Sequence, residues 1–113
     1  SMVYLDENNL EQIDMIYYFK EFSLSNNQLK KISIDNTTKF TFFDKLDLNH
    51  NLIESIESDQ LISSTQLRYL YLRNNSIKYI GNGSFRNLHR LNELDLSLNF
   101  IQHLDDQIFH DTF

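Results

Sequence analysis

Leu46-Asp47-Leu48-Asn49-His50-Asn51, Leu70-Tyr71-Leu72-Arg73-Asn74-Asn75 and Leu94-Asp95-Leu96-Ser97-Leu98-Asn99 share one pattern: leucine, any residue, leucine, two of any kind, asparagine. The asparagines stand at 51, 75 and 99, so both intervals are 24 residues. One interval earlier, Phe22-Ser23-Leu24-Ser25-Asn26-Asn27 repeats the pattern with phenylalanine in the first place. Val3-Tyr4-Leu5-Asp6-Glu7-Asn8 repeats it again, 19 residues before that. Past each asparagine an apolar residue follows at two and at five places: Leu10 and Ile13, Leu29 and Ile32, Ile53 and Ile56, Ile77 and Ile80, Ile101 and Leu104. Five matches in register make an internal repeat the first property of this chain.

The residue types say what each repeat does. Leucine-x-leucine has period two, so both leucines enter one side of a short strand while the residues between and beside them face the other. Strands of successive repeats are expected to lie parallel, about 4.8 Å apart, on the inner face of a curved α/β solenoid. The chain then turns sharply inside the body, which strands backbone groups. A buried asparagine amide, both donor and acceptor, satisfies them. Asn8, Asn27, Asn51, Asn75 and Asn99 are therefore read as a structural ladder. Phe40 and Phe43, Phe85 with Leu88 and Leu91, and Phe109 mark the outer arc, expected to be irregular or a helical turn with its phenylalanines forming a spine in the core. The expected organisation is a single domain over 1–113 with about five repeats. It is read as a piece of a longer array, uncapped at both ends, since Ser1-Met2 resembles a cloning remnant.

These repeats resemble the leucine-rich repeat family. The 24-residue length with an inward phenylalanine is similar to the typical class found in Toll-like receptor ectodomains and in secreted leucine-rich immune proteins of insects. The resemblance covers nearly the whole chain. It implies a right-handed curved solenoid with a parallel sheet on the concave face and an irregular or short helical convex side. It further implies recognition of another protein, in innate immunity or adhesion, by a secreted or extracellular glycoprotein. The other readings are an intracellular, cytoplasmic scaffold or adaptor, and the targeting domain of a larger enzyme. The chain departs from the family's frequent pattern in lacking proline after the last consensus leucine and cysteine-rich caps.

Composition narrows the function classes. Ten basic against sixteen acidic residues give a formal charge of −6. That balance argues against nucleic acid and against an anionic membrane surface as partners. No apolar run approaches the roughly 20 residues of a membrane span, so no direct membrane insertion is expected. The absence of cysteine removes disulfides, thiol nucleophiles and cysteine zinc sites. His50, His89, His103 and His110 lack the close spacing of a metal site and are read as solvated surface residues. Asp105-Asp106 and Asp44 with Asp47 have no deep pocket to raise a carboxyl pKa for acid–base work. No enzyme activity, cofactor, metal or catalytic residue is expected.

A binding surface is expected on the strand positions that face away from the core. Aligned by column, these are Glu21, Lys45, Tyr69 and Glu93; then Tyr4, Ser23, Asp47, Tyr71 and Asp95; then Asp6, Ser25, Asn49, Arg73 and Ser97. The richest patch combines Tyr69, Tyr71 and Arg73 with Lys45 and Asp47 on one side and Glu93 and Asp95 on the other. Tyrosine and arginine are enriched in interface hot spots. The plainer reading is that Arg73 pairs with a nearby aspartate and Lys45 with Glu21, surface pairs worth about 0–1 kcal/mol. Asn36, Asn74 and Asn82 each open an Asn-x-Ser/Thr triplet and are candidate glycosylation sites in a secreted protein. A glycan on Asn74 would crowd the patch. An uncapped solenoid end exposes apolar core and unpaired strand edge, so self-association through the ends is also expected.

Overall fold

The computed structural model describes residues 2–4, 6, 20–32, 43–58, 60–61, 64–109 and 112, with the backbone alone for 2–4. Asn8, Leu10, Ile13, Asn36, Phe40 and His110, which figure in the sequence reading, lie outside the described residues.

Five three-residue strands form one sheet. β1 (Met2–Tyr4), β2 (Glu21–Ser23), β3 (Lys45–Asp47), β5 (Tyr69–Tyr71) and β7 (Glu93–Asp95) pair in that order, every pair parallel. From β2 onward the register is the sequence period: Glu21, Lys45, Tyr69 and Glu93 stand opposite one another, as do Ser23, Asp47, Tyr71 and Asp95. The middle residues of β2, β3 and β5, Phe22, Leu46 and Leu70, point into the core and are buried. The pairing continues past the strands, where the N–H of Leu24, Leu48 and Leu72 donates to the carbonyl of Asp47, Tyr71 and Asp95, each at 2.8 Å.

After β2, β3, β5 and β7 the chain leaves the sheet through a left-handed residue: Asn26 (φ 56°), His50 (58°), Asn74 (56°) and Leu98 (52°). Asparagine and histidine are several-fold enriched in that region, whereas a leucine is strained there by about 1–2 kcal/mol. The next residue is the ladder asparagine. Asn51 Nδ2 donates to the carbonyls of Leu24 and Leu48, both at 3.0 Å, and its Oδ1 accepts from the N–H of Leu29 at 3.1 Å. Asn75 repeats this with Leu48, Leu72 and Ile53, and Asn99 with Leu72, Leu96 and Ile77. Each asparagine thus ties its own coil to the preceding one.

Beyond the turn, Leu29, Ile53 and Ile77 and then Ile32, Ile56 and Ile80 fill the core. Here the structure adds an element absent from the sequence reading. β4 (Ser55–Ile56) and β6 (Tyr79–Ile80) form a second, two-stranded parallel sheet. Two extended segments at the same 24-residue offset lie close enough for the N–H of Gly81 to reach the carbonyl of Ile56 at 2.8 Å. On the outer arc Phe43 lies 5.5 Å from Phe22, and Phe85 stacks on Phe109 at 5.5 Å. Among the described residues the arc is built of turns and a 3₁₀ helix, Asp106–Phe109.

Neither curvature nor a convex helical layer is resolved among the described residues. The body measures 34 × 26 × 23 Å with a radius of gyration of 12.9 Å. The reason is length: five coils at about 4.8 Å spacing rise only about 19 Å, less than the breadth of one coil. Burial also declines in the last coil. Leu94, Leu96 and Ile101 are half-buried, and Leu98, Phe100 and Leu104 are exposed.

Candidate functional site

Lys45, Asp47, Tyr69, Tyr71, Arg73, Glu93 and Asp95 stand on the outward side of three adjacent strands or directly after them. Period two puts them there: β3 and β5 bury their central leucines and β7 half-buries Leu94, so the flanking residues face away from the core.

Tyr71 is the best-held member. Its hydroxyl donates to Glu93 Oε2 at 2.7 Å, and Lys45 Nζ sits 5.4 Å from its ring centroid. The carboxylate beside the hydroxyl, helped by burial, pushes the Tyr71 phenol up to about 12. Arg73 donates from Nη1 to Ser97 Oγ at 2.9 Å, and its backbone N–H donates to Asn49 Oδ1 at 2.7 Å. Ser97 in turn gives both its hydroxyl and its N–H to Asp95 Oδ1, at 2.5 and 2.9 Å. Those bonds hold the Asp95 carboxyl below its ordinary range. Asp47 accepts the N–H of Asn49 at 3.0 Å in the same local turn. At the β1 side, Asp6 Oδ1 accepts from Ser23 Oγ at 2.6 Å and from the N–H of Ser25 at 3.0 Å.

The plain ion pairs weighed from the sequence take another form. Arg73 reaches an aspartate only through Ser97, and Lys45 leans over Tyr71 rather than toward Glu21. Arg68 pairs with Asp44 through a two-nitrogen fork, and the guanidinium holds the Asp44 carboxyl below its usual value. The same guanidinium carbon lies 5.3 Å from the Tyr69 ring centroid. Sequence reading missed this pair, although the signal was present. Residues 44 and 68 differ by 24, as do Gln66 and Arg90, joined at 2.6 Å, and His50 and Asn74, joined at 2.9 Å.

Of the candidate glycosylation residues, Asn74 and Asn82 are exposed. Asn74 Nδ2 donates to His50 Nδ1, and the Ser84 hydroxyl of the Asn82 triplet is buried against the carbonyls of Ile56 and Gly81. His89 and His103 are exposed, and His89 Nδ1 lies 3.2 Å from the carbonyl of Thr112. Among the described residues no three His, Asp or Glu side chains converge as a metal site. What the sheet face offers chemically is two tyrosine rings, a planar donor fork and flanking carboxylates held by the contacts described. A leucine rich repeat family model matches residues 19–77 and again residues 65–112. No curated protein matches the chain.

Proposed function

The chain belongs to the leucine-rich repeat family, whose modules are scaffolds rather than catalysts, and on that premise we propose that it recognises another protein through the outward face of β3, β5 and β7. One observation carries the reading: Tyr69, Tyr71 and Arg73 project from one strand and its exit, Tyr71 and Arg73 held by residues of neighbouring coils and Tyr69 by Arg68 beside it. Side chains already fixed before contact lose little rotamer freedom on binding, which is where much of the cost of association lies. Tyr71 contributes ring area, Arg73 a donor fork for a carboxylate or carbonyl, and Lys45, Asp47, Glu93 and Asp95 a charged rim that selects orientation.

In this reading the sheet lines the concave side of a right-handed curved array, and the protein acts outside the cell in immunity or adhesion. The exposed asparagines that open the triplets at Asn74 and Asn82 favour that compartment. Glycopeptide mass spectrometry of natively expressed protein tests it; unmodified asparagines at both positions would point to the intracellular adaptor instead. The recognition surface is tested by capture from native extract, comparing wild type with a Tyr69→Ala/Tyr71→Ala/Arg73→Ala variant shown folded by circular dichroism. Wild type is expected to retain a partner that the variant loses. Equal capture by both overturns the assignment of this face.

A further inference from the structure

Asn82-Gly83 is the one place where an asparagine of this sequence is followed by glycine. It opens a turn over residues 82–87, with Asn82 exposed and Gly81, Gly83 and Ser84 buried. The turn belongs to an interior coil, with Ser58 and Asp106 at the 24-residue offset on either side. Gly83 holds φ 71°, and nothing lies within 4 Å of where a Cβ would stand. Neither a side chain of its own nor a neighbour on that side crowds its backbone nitrogen. The Asn82 side-chain amide makes no hydrogen bond among the described residues.

The ladder asparagines are the contrast. Asn75 also precedes a small residue, Ser76. It is buried, however, with Nδ2 on the carbonyls of Leu48 and Leu72 and Oδ1 on the N–H of Ile53. An amide held at both atoms inside the core cannot swing toward the next backbone nitrogen. Asn82 is held at neither atom and stands in water.

We propose that Asn82 is a site of spontaneous covalent modification, passing through a cyclic imide to isoaspartate. Solvent base takes the proton of the Gly83 N–H, and that nitrogen attacks Asn82 Cγ. The N–Cγ bond forms, the Cγ–Nδ2 bond breaks, and Nδ2 picks up a proton and leaves as ammonia. Water then opens the imide: cleavage at Cγ gives aspartate, and cleavage at the main-chain carbonyl gives isoaspartate, with one extra methylene in the chain. The Gly83 N–H donates to Gln107 O at 3.1 Å, so opening of that bond sets the pace. The consequence falls on the tie between coils. The Gly81 N–H donates to Ile56 O at 2.8 Å, and the buried Ser84 hydroxyl reaches Ile56 O at 3.2 Å and Gly81 O at 2.6 Å. A methylene inserted between residues 82 and 83 displaces these bonds. The added charge matters less, because the groove that Asn82 lines mixes Lys78 and His103 with Glu57 and Asp105. A glycan on Asn82 would occupy the leaving nitrogen and close the route, so protein made without glycosylation isolates it.

The test is to hold the unglycosylated 113-residue chain for several days in mildly alkaline buffer and map its tryptic peptides. Cleavage after Lys78 and Arg86 releases Tyr79–Arg86, with Asn82 as its one asparagine. This peptide is expected to gain one mass unit at least tenfold faster than those carrying Asn51, Asn75 or Asn99. Its rate should rise with pH, and most of the product should accept a methyl group from an isoaspartate methyltransferase. The isoaspartate form, separated by chromatography, should melt several degrees below the unmodified chain, and Asn82→Asp should melt close to it. That pair separates added main-chain length from added charge. Equal rates at Asn82 and the ladder, aspartate as the sole product, or an isoaspartate form as stable as Asn82→Asp would each overturn the proposal.

Discussion

Replacing Asn75 by alanine tests the coil-to-coil ladder most directly. Its amide nitrogen donates to Leu48 O at 3.0 Å and Leu72 O at 3.1 Å, and its oxygen accepts from the N–H of Ile53 at 3.1 Å, all with Asn75 buried. The carbonyls are served twice: Leu48 O also accepts from Asn51, and Leu72 O from Asn99. Alanine therefore leaves each carbonyl one bond and orphans a single donor, the N–H of Ile53. An orphaned buried donor is worth about 1–3 kcal/mol, and each lost second bond about 0.5–1.5 kcal/mol. The expected loss is about 3 kcal/mol, a large part of the roughly 5–15 kcal/mol that holds a domain together. Asn99→Ala, in a half-buried position where water can replace the amide, should lose about 1 kcal/mol. Asn75→Asp adds a sign. The carboxylate keeps the Ile53 bond but turns its second oxygen onto two carbonyls, so the charged form is disfavoured and the folded pKa is raised. A raised pKa means that stability relative to alanine is greatest below the unfolded value of about 3.9 and is lost as pH rises through the folded one. Urea titrations followed by circular dichroism from pH 4 to 8 measure all three variants. An alanine loss under about 1 kcal/mol, or an aspartate variant that does not gain on alanine as the medium is acidified, would refute this account of the ladder.

Three further outcomes follow from single contacts. The Tyr71 phenol, pushed up to about 12 chiefly by its bond to Glu93, should give the highest tyrosine step in an ultraviolet absorbance titration. Its stabilising contribution is full below about pH 10 and fades toward pH 12; Glu93→Gln should lower that step, and an unchanged step would count against the bond. Asp44 has a carboxyl lowered by Arg68, so its contribution is present above about pH 3.9 and lost as pH falls through the folded value. Arg68→Met should therefore raise the pH of the acid-unfolding midpoint, and no change would contradict the pairing. The buried Ser64 hydroxyl has no hydrogen-bond partner among the described residues, so Ser64→Ala should raise stability by about 1 kcal/mol. A thermal melt showing a loss would indicate that the hydroxyl is satisfied.

The register of the sheet was legible because one number governs both chain and space. Asparagines 24 residues apart in sequence mark strands whose partners also differ by 24 from β2 to β7. Translation by one period says which residues become neighbours, but not which way a long side chain leans. Lys45 has Glu21 on one side and Tyr69 on the other in its own column, yet it lies over Tyr71, one column across. The second sheet escaped the reading because β4 and β6 are two residues each, and the spacing of three between Ile53 and Ile56 carries no strand alternation. The curvature expected from the sequence is not resolved among the described residues, since it arises from small differences in rise between the inner and outer sides, accumulated over many coils.

A repeat describes the relation of a chain to itself, so the information about anything outside it lies in departures from the repeat. Tyr69 stands in a column with Glu21, Lys45 and Glu93, and Arg73 in one with Ser25, Asn49 and Ser97. Leu98 replaces the polar residues of its column, and Phe100 follows Gln28, Leu52 and Ser76. None of these departures is needed to build the coil, because the coils that lack them close with the same ladder and the same left-handed turn. Leu98 goes further, since the asparagine used elsewhere in its column would relieve strain. Substituting toward the column's own residues thus separates the two demands on the sequence: Leu98→Asn should strengthen the fold by relieving the left-handed strain.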